Sequence, residues 1–252
     1  MFVAIRIFVI VLALIQARPL LAVDEVSPYN EISVSKIVDQ YMANEMFRQP
    51  TNLCLIMSFY GSDKGNDHNY TTLYSELFGE FREDSLNIFE LGLGTNNIDV
   101  PSNMGIFGIP GASLRGWADY FSNSQIYGAD IDESILFQGN NISTFYCDQR
   151  DEKSIKNMFS NDALNSVLFD IIIDDGLHEF KANLTFLVNS IEHLKQGGIY
   201  IIEDLLPTDV LKFQQILDEL KNQFRFVVIL KLPTDNESFK VRADNTLLII
   251  QK

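Results

Sequence analysis

Carboxylates recur in this chain where apolar runs end. Asp174-Asp175-Gly176-Leu177-His178 closes one such run and Glu203-Asp204 closes another. Carboxylates brought to one edge of a sheet repel one another unless a cation sits among them. Hard oxygen donors suit Mg²⁺, or Mn²⁺ as an alternative. His178 lies on the turn after Asp174 and Asp175. An imidazole of ordinary pKa, about 6.5, suits the removal of a proton from a hydroxyl near neutral pH. A divalent ion beside it would lower the hydroxyl's own pKa and orient it. The plainer reading is that Asp175 or Asp204 caps a helix and that His178 is a surface histidine. His193, on an amphipathic stretch, reads as structural.

Three further strand ends carry polar groups. Glu90-Leu91-Gly92-Leu93-Gly94-Thr95 follows the first apolar run of the regular part of the chain. Glycines there let the backbone turn tightly and approach a ligand closely. Asn96-Asn97 follow in place of a third glycine, which argues against a pyrophosphate at a helix N-terminus and for a ligand without phosphates. Tyr127-Gly128-Ala129-Asp130-Ile131-Asp132 ends the second run. Asp130 is the candidate acceptor for a pair of ribose hydroxyls, and Asp132 reads equally as a helix cap. Cys147-Asp148-Gln149 ends the third, where Asp148 or Gln149 is suited to an adenine edge and Asp148 alternatively caps a helix starting near Glu152.

The elements that must position these groups follow a rhythm. Apolar runs at Leu86–Leu91, Gln125–Asp130, Ser143–Cys147, Phe169–Ile173, Gly198–Ile202, Phe224–Leu230 and Thr246–Gln251 alternate with amphipathic stretches, among them Asp151–Phe159, Phe180–Leu194 and Thr208–Gln223. Several runs are continuously apolar, as strands covered on both faces are. The order predicts a doubly wound α/β sheet of seven strands with helices on both faces. The last two runs are joined by a stretch with no obvious helix, so the seventh strand is expected antiparallel, beside the sixth. Upstream, 24–84 reads as an N-terminal extension of helices and loops, with a polar loop at 60–70 and helical periodicity over Thr71–Phe81. Residues 85–252 form the main domain.

The first 23 residues are apolar apart from Arg6, Gln16 and Arg18, and read as a signal or anchor segment. That predicts an exported or membrane-anchored protein. The alternative is a cytoplasmic chain with a misread start or a peripheral apolar helix. The sequons at Asn69, Asn141, Asn183 and Asn236 carry little weight, since two lie inside apparent core elements. A net charge of −15 argues against nucleic acid as a partner. The two cysteines, Cys54 and Cys147, have no metal-binding spacing, and Cys147 reads as a buried free thiol.

The combination of motifs resembles the metal-dependent S-adenosylmethionine O-methyltransferases that act on macrolide sugars, and the wider cephalosporin-hydroxylase-like set. The matching residues are Gly61-Ser62-Asp63-Lys64-Gly65 with His68 and Tyr70, Glu90 to Thr95, Gly111 to Trp117, and Tyr127 to Asp130. The match continues through Asp148-Gln149, Asp174 to His178, Gly197-Gly198 and Glu203-Asp204, and ends in Arg242-Ala243-Asp244-Asn245. The resemblance implies a class I methyltransferase fold and methyl transfer to a hydroxyl of a sugar-like small molecule. It implies metal ligands at Asp175, Glu203 and Asp204, catalysis by His178 and Asp175, and a cofactor site drawn from Ser62, Lys64, Glu90, Gly92, Gly94, Thr95, Asp130, Asp148, Gln149 and Asp174. Leu177 departs from the pattern, which usually has serine there. Acceptor selection is expected from 96–112 and 205–210. A homo-oligomer stays open, as do two other functions: a non-catalytic secreted or lumenal binding domain on the same fold, and a dinucleotide-dependent oxidoreductase.

Overall fold

The computed structural model describes residues 25–234 and 242–252. The signal or anchor reading of residues 1–23 and the sequon at Asn236 lie outside the described residues. Among the described residues no helix is long and apolar enough to cross a membrane.

Seven strands form one sheet: β1 (Asn87–Leu91), β2 (Gln125–Asp130), β3 (Ile142–Tyr146), β4 (Phe169–Asp174), β5 (Leu194–Ile202), β6 (Phe226–Lys231) and β7 (Thr246–Gln251). Their order is β3-β2-β1-β4-β5-β7-β6. β1 to β5 are mutually parallel, and β7 runs antiparallel between β5 and β6. The expected seven strands and antiparallel insertion are thus present. The chain reverses between β1 and β4, so the carboxyl ends of β1, β2 and β4 open a crevice at the switch point.

Alternation along the strands divides the core in two. Ile88, Ile171, Ile173, Ile199, Ile201, Leu247 and Ile249 face a layer built by α1 (Val34–Ala43), α2 (Asn52–Tyr60), α3 (Tyr70–Phe78) and α4 (Ala112–Tyr120). Phe89, Leu91, Ile172, Tyr200, Ile202, Leu248 and Ile250 face the opposite layer, α5 (Glu152–Phe159), α6 (Phe180–Ser190), α7 (Pro207–Gln214) and α8 (Leu217–Lys221). Side chains buried on both faces explain why the runs are unbroken rather than alternating. The extension expected over 24–84 supplies most of the first layer and shares its core with the sheet.

Local chemistry sets the ends. Thr51 caps α2, and Gly61 ends it in a left-handed turn at φ 87°. Asp151, not Asp148, caps α5 by accepting from the Lys153 N–H at 2.9 Å. The helix expected over Phe180–Leu194 stops at Ser190, passes through a 3₁₀ turn, and gives way to β5 at Leu194. The stretch expected as one helix over Thr208–Gln223 is two, broken between Gln214 and Leu217. Asn69 and Asn183 are buried and donate their amides internally, to Pro233 and Asp174 respectively, so neither offers a glycan site.

Candidate active site

The turn after β1 shows why glycine stands there. Gly92 has φ 93° and Gly94 φ 75°. The Asp175 N–H donates to the Leu91 carbonyl at 2.9 Å, which draws the end of β4 over the turn. A Cβ on Gly92 would run into the Asp175 carbonyl. The turn continues into a long loop, and the next helix, α4, begins only at Ala112. Asp130, at the end of β2, accepts from the Leu93 N–H at 2.7 Å and the Asp132 N–H at 2.9 Å, tying the two strand ends together. Burial raises its pKa against the pull of those bonds. Asp132 caps a 3₁₀ turn and also accepts from the Thr95 hydroxyl at 2.5 Å.

Gly92, Leu93, Gly94, Thr95 and Asp130, but not Asp132, line a cavity of about 560 Å³ that also takes in Ser62, Lys64, Asp148, Gln149, Asp175, His178, Glu203 and Asp204. Loop residues Met104, Phe107 and Ile109 cover part of it, whereas 205–210 do not reach it. The cavity also stops short of Glu90 and Asp174, both fully buried. Glu90 accepts from Ser113 at 2.6 Å and from the Trp117 indole, and so fixes α4 against β1. Asp174 accepts from the Gln149 amide at 2.7 and 2.8 Å and from Asn183 at 3.0 Å. Gln149 then accepts from the Leu177 N–H at 2.7 Å, setting the turn that carries His178. Burial raises the Asp174 pKa to about 6. Asp148 is held below its ordinary value by its bond to Arg150.

The carboxylate edge holds an ammonium of its own. Lys64, 2% exposed, reaches Asp175 at 2.5 Å, bonds Glu203, and lies 3.7 Å from Glu90. Burial works against its charge, but Asp175, Glu203 and Glu90 outweigh that and raise its pKa well above the ordinary value. Asp175 is only part-buried; desolvation works against its charge, yet Lys64 and His178 hold it below the usual carboxylate range. Burial pushes Glu203 and Glu90 the other way, against the pull of the same lysine. Lys64 thus bonds both Asp175 and Glu203, with Glu90 close by.

Asp175, His178 and Asp204 form a second grouping, with one ligand-capable atom from each within 4.8 Å of the others. His178 Nε2 lies 3.1 Å from Asp175 Oδ1 and 3.6 Å from Asp204 Oδ2. Burial lowers the imidazole pKa, but the bond to Asp175 and the charge of Asp204 raise it to about 9. His178 and Asp204 both have left-handed backbones, φ 57° and 55°, a conformation that non-glycine residues keep only where the surroundings enforce it. Glu203 does not join this grouping: its two oxygens go to Lys64 and to the Tyr74 hydroxyl, the latter at 2.6 Å. Tyr74 was not singled out from the sequence. The signal was Tyr70 and Tyr74 one helical turn apart, which puts two phenols on one face of α3, and Tyr70 donates to Asp204.

The strand order, the antiparallel β7 and the crevice at the carboxyl ends define a class I methyltransferase fold. The MycE methyltransferase of the mycinamycin biosynthetic pathway, solved with Mg and SAH, superposes with a TM-score of 0.59 at 24% identity over 81% of this chain and 55% of that one. No protein-family model matches the chain. In sequence it is 31% identical over 182 residues to 8-demethyl-8-alpha-L-rhamnosyl tetracenomycin-C 2'-O-methyltransferase of Streptomyces olivaceus, spanning 72% of this chain and 45% of that protein. It is 28% identical over 184 residues to mycinamicin VI 2''-O-methyltransferase of Micromonospora griseorubida, spanning 73% and 43%. The similarity to macrolide-sugar O-methyltransferases read from the motifs thus holds. The chain spans less than half the length of these relatives.

Proposed function

We propose that the chain is an S-adenosylmethionine-dependent O-methyltransferase that uses a divalent ion, Mg²⁺ or Mn²⁺, and acts on a hydroxyl of a sugar-like small molecule. The observation that carries this reading is the meeting, in one cavity, of the Gly92–Thr95 turn and Asp130 with the Asp175–His178–Asp204 group. The named activities of the relatives, all O-methyl transfer to sugar-bearing compounds, support it.

The residues present fit both groups. Gly92 and Gly94 present backbone to the cavity, and Asp130 lines it with carboxylate oxygens able to accept from ribose hydroxyls. Asp175 and Asp204 are hard oxygen donors close enough to share one ion, and Glu203 would join them on releasing Lys64. An ion held there would supply positive charge that lowers the pKa of the acceptor hydroxyl. Asp175 and Asp204 raise the imidazole pKa to about 9. A cation on those carboxylates would offset that charge and free His178 Nε2, the nitrogen that faces both, to take the hydroxyl proton. The Gln149–Leu177 bond holds the His178 turn, and Lys64 keeps Asp175 ionised. The cavity walls orient the acceptor oxygen toward the methyl carbon and exclude water, so proximity carries much of the rate. The 96–112 segment, with Phe107 90% exposed at the mouth, offers an apolar surface for the remainder of the acceptor.

Calorimetry with S-adenosylmethionine and S-adenosylhomocysteine, each with and without Mg²⁺, tests the reading. Binding is expected, and its absence under every condition would sink the proposal. Asp175→Asn should abolish turnover while leaving S-adenosylhomocysteine affinity within about threefold, because the Asp175 contact to the turn is through the main chain.

A further inference from the structure

Asp204 belongs to two ligand-capable groupings. Beside Asp175–His178–Asp204 stands His68–Asp204–Asp244, again with one candidate atom from each residue within 4.8 Å of the others. The methyl-transfer reading uses the first and leaves the second without a task.

His68 is the group that calls for a ligand. It is 2% exposed, and neither of its ring nitrogens makes a hydrogen bond. Buried polar atoms are nearly always satisfied, so an imidazole with both nitrogens unmet needs a cause. Its ring stacks on Tyr70 at 4.6 Å, which holds Nδ1 toward Asp204 Oδ1, 3.5 Å away. Oδ2 of the same carboxylate faces His178 at 3.6 Å. The two oxygens of Asp204 therefore look into two different groupings. Tyr70 donates to Oδ1, and that oxygen keeps a second lone pair. Arg242, the nearby cation, bonds Asp67 at 3.0 Å and acts on Asp244 through charge alone.

We infer that His68 and Asp244, with Asp204 as a bridging carboxylate, form a second divalent-cation site that prefers a first-row transition ion such as Mn²⁺ or Zn²⁺ to Mg²⁺. Ligand bonds of about 2.0–2.2 Å allow donors on one ion to stand at most about 4.4 Å apart, so the observed grouping needs only small side-chain shifts. Imidazole is a good donor to these ions, whereas Mg²⁺ keeps to oxygen. Carboxylate-bridged ion pairs stand about 3.5–4 Å apart, a spacing one Asp204 carboxylate can span. The inference rests on the proposed methyl-transfer site only in sharing Asp204 with it.

The test counts ions on the full chain after chelation, by dialysis against Mn²⁺, elemental analysis and electron paramagnetic resonance. The wild type is expected to hold two Mn²⁺ with a spin-coupled spectrum. His68→Gln should halve the content and remove the coupling. Asp244→Asn, at a partly exposed position where folding is not at stake, should do the same, and Asp175→Asn should remove the other ion. A wild type holding a single ion that His68→Gln and Asp244→Asn leave in place would overturn the inference, as would two ions that survive both changes. Failure of S-adenosylmethionine to bind in calorimetry would count against the methyl-transfer reading and leave this ion count untouched.

Discussion

Lys64→Met removes the ammonium from the carboxylate edge while keeping most of its apolar stem. Lys64 is 2% exposed and sits among Asp175, Glu203 and Glu90. Deleting one partner of a buried ion pair costs about 3–5 kcal/mol, because the remaining charge is left without compensation. For a domain of this size about 1 kcal/mol shifts Tm by 2–4 °C, so the chelated variant should melt about 6–20 °C below the wild type. The pH dependence has a definite sign. Without the lysine, burial raises the carboxyl pKa values in the folded state above their unfolded values. The folded state then binds more protons, and its stability falls as pH rises from about 4 through the folded values. In the wild type Lys64 keeps Asp175 below its ordinary value, so that contribution is already complete above about pH 4. The gap between the two proteins should therefore widen from pH 5.5 to pH 8. Circular dichroism melts in EDTA at both pH values measure it. Saturating Mn²⁺ should narrow the gap, since an ion on Asp175 replaces part of the lost charge. A variant melting within about 2 °C of the wild type in EDTA would refute the reasoning, and so would a gap that shrinks as pH rises.

Other consequences follow from single positions. Gly92→Ala forces a β-carbon onto a φ of 93° and against the Asp175 carbonyl. The strain is worth about 1–3 kcal/mol, and S-adenosylhomocysteine affinity measured by calorimetry should drop by about 5- to 150-fold; unchanged affinity would show that the turn does not meet the cofactor. Burial lowers the pKa of His193, whose ring stacks on Phe159 at 4.0 Å. Its contribution is complete above the unfolded value of about 6.5 and is lost as pH falls through the folded value. His193→Gln should flatten the fall of the urea midpoint between pH 7.5 and 5, and an unaltered slope would remove His193 as its source.

Much of the fold was legible because it rests on repetition. Strands covered on both faces carry unbroken apolar runs, as Ile171–Ile173 in β4, Ile199–Ile202 in β5 and Leu247–Ile250 in β7 do. The helices that escaped notice lack a period to read. α2 is apolar almost all round, with Leu55 67% and Phe59 81% exposed on its outer side, so no polar face marks it. α4 is nine residues long and carries Gly116 in its middle, where Met57 of α2 packs too closely for a β-carbon. The site was legible as a set of strand ends and not as a set of contacts. Lys64 meets Glu203 across 139 positions of sequence, and no local pattern encodes that.

One rule recovers part of what was hidden. Side chains alternate along a strand, so a carboxylate at its end faces whichever helical layer its parity selects. On β1, Phe89 and Leu91 face the α5–α8 layer, which sends Glu90 toward α4, where Ser113 and Trp117 receive it. Glu203, one residue past β5, continues the parity of Ile199 and Ile201 and so faces α3, where Tyr74 donates to it. Asp174 continues Ile172 to the other layer and meets Asn183 of α6. Only groups beyond the last strand residue escape this parity. Asp175 and His178 are carried by the turn after β4, and Asp204 leaves its strand through a left-handed residue. Asp175 and Asp204, which already stand close enough to share an ion, are therefore carboxylates that the pleat no longer controls, while Glu90 and Asp174 hold the helices and turns that aim them.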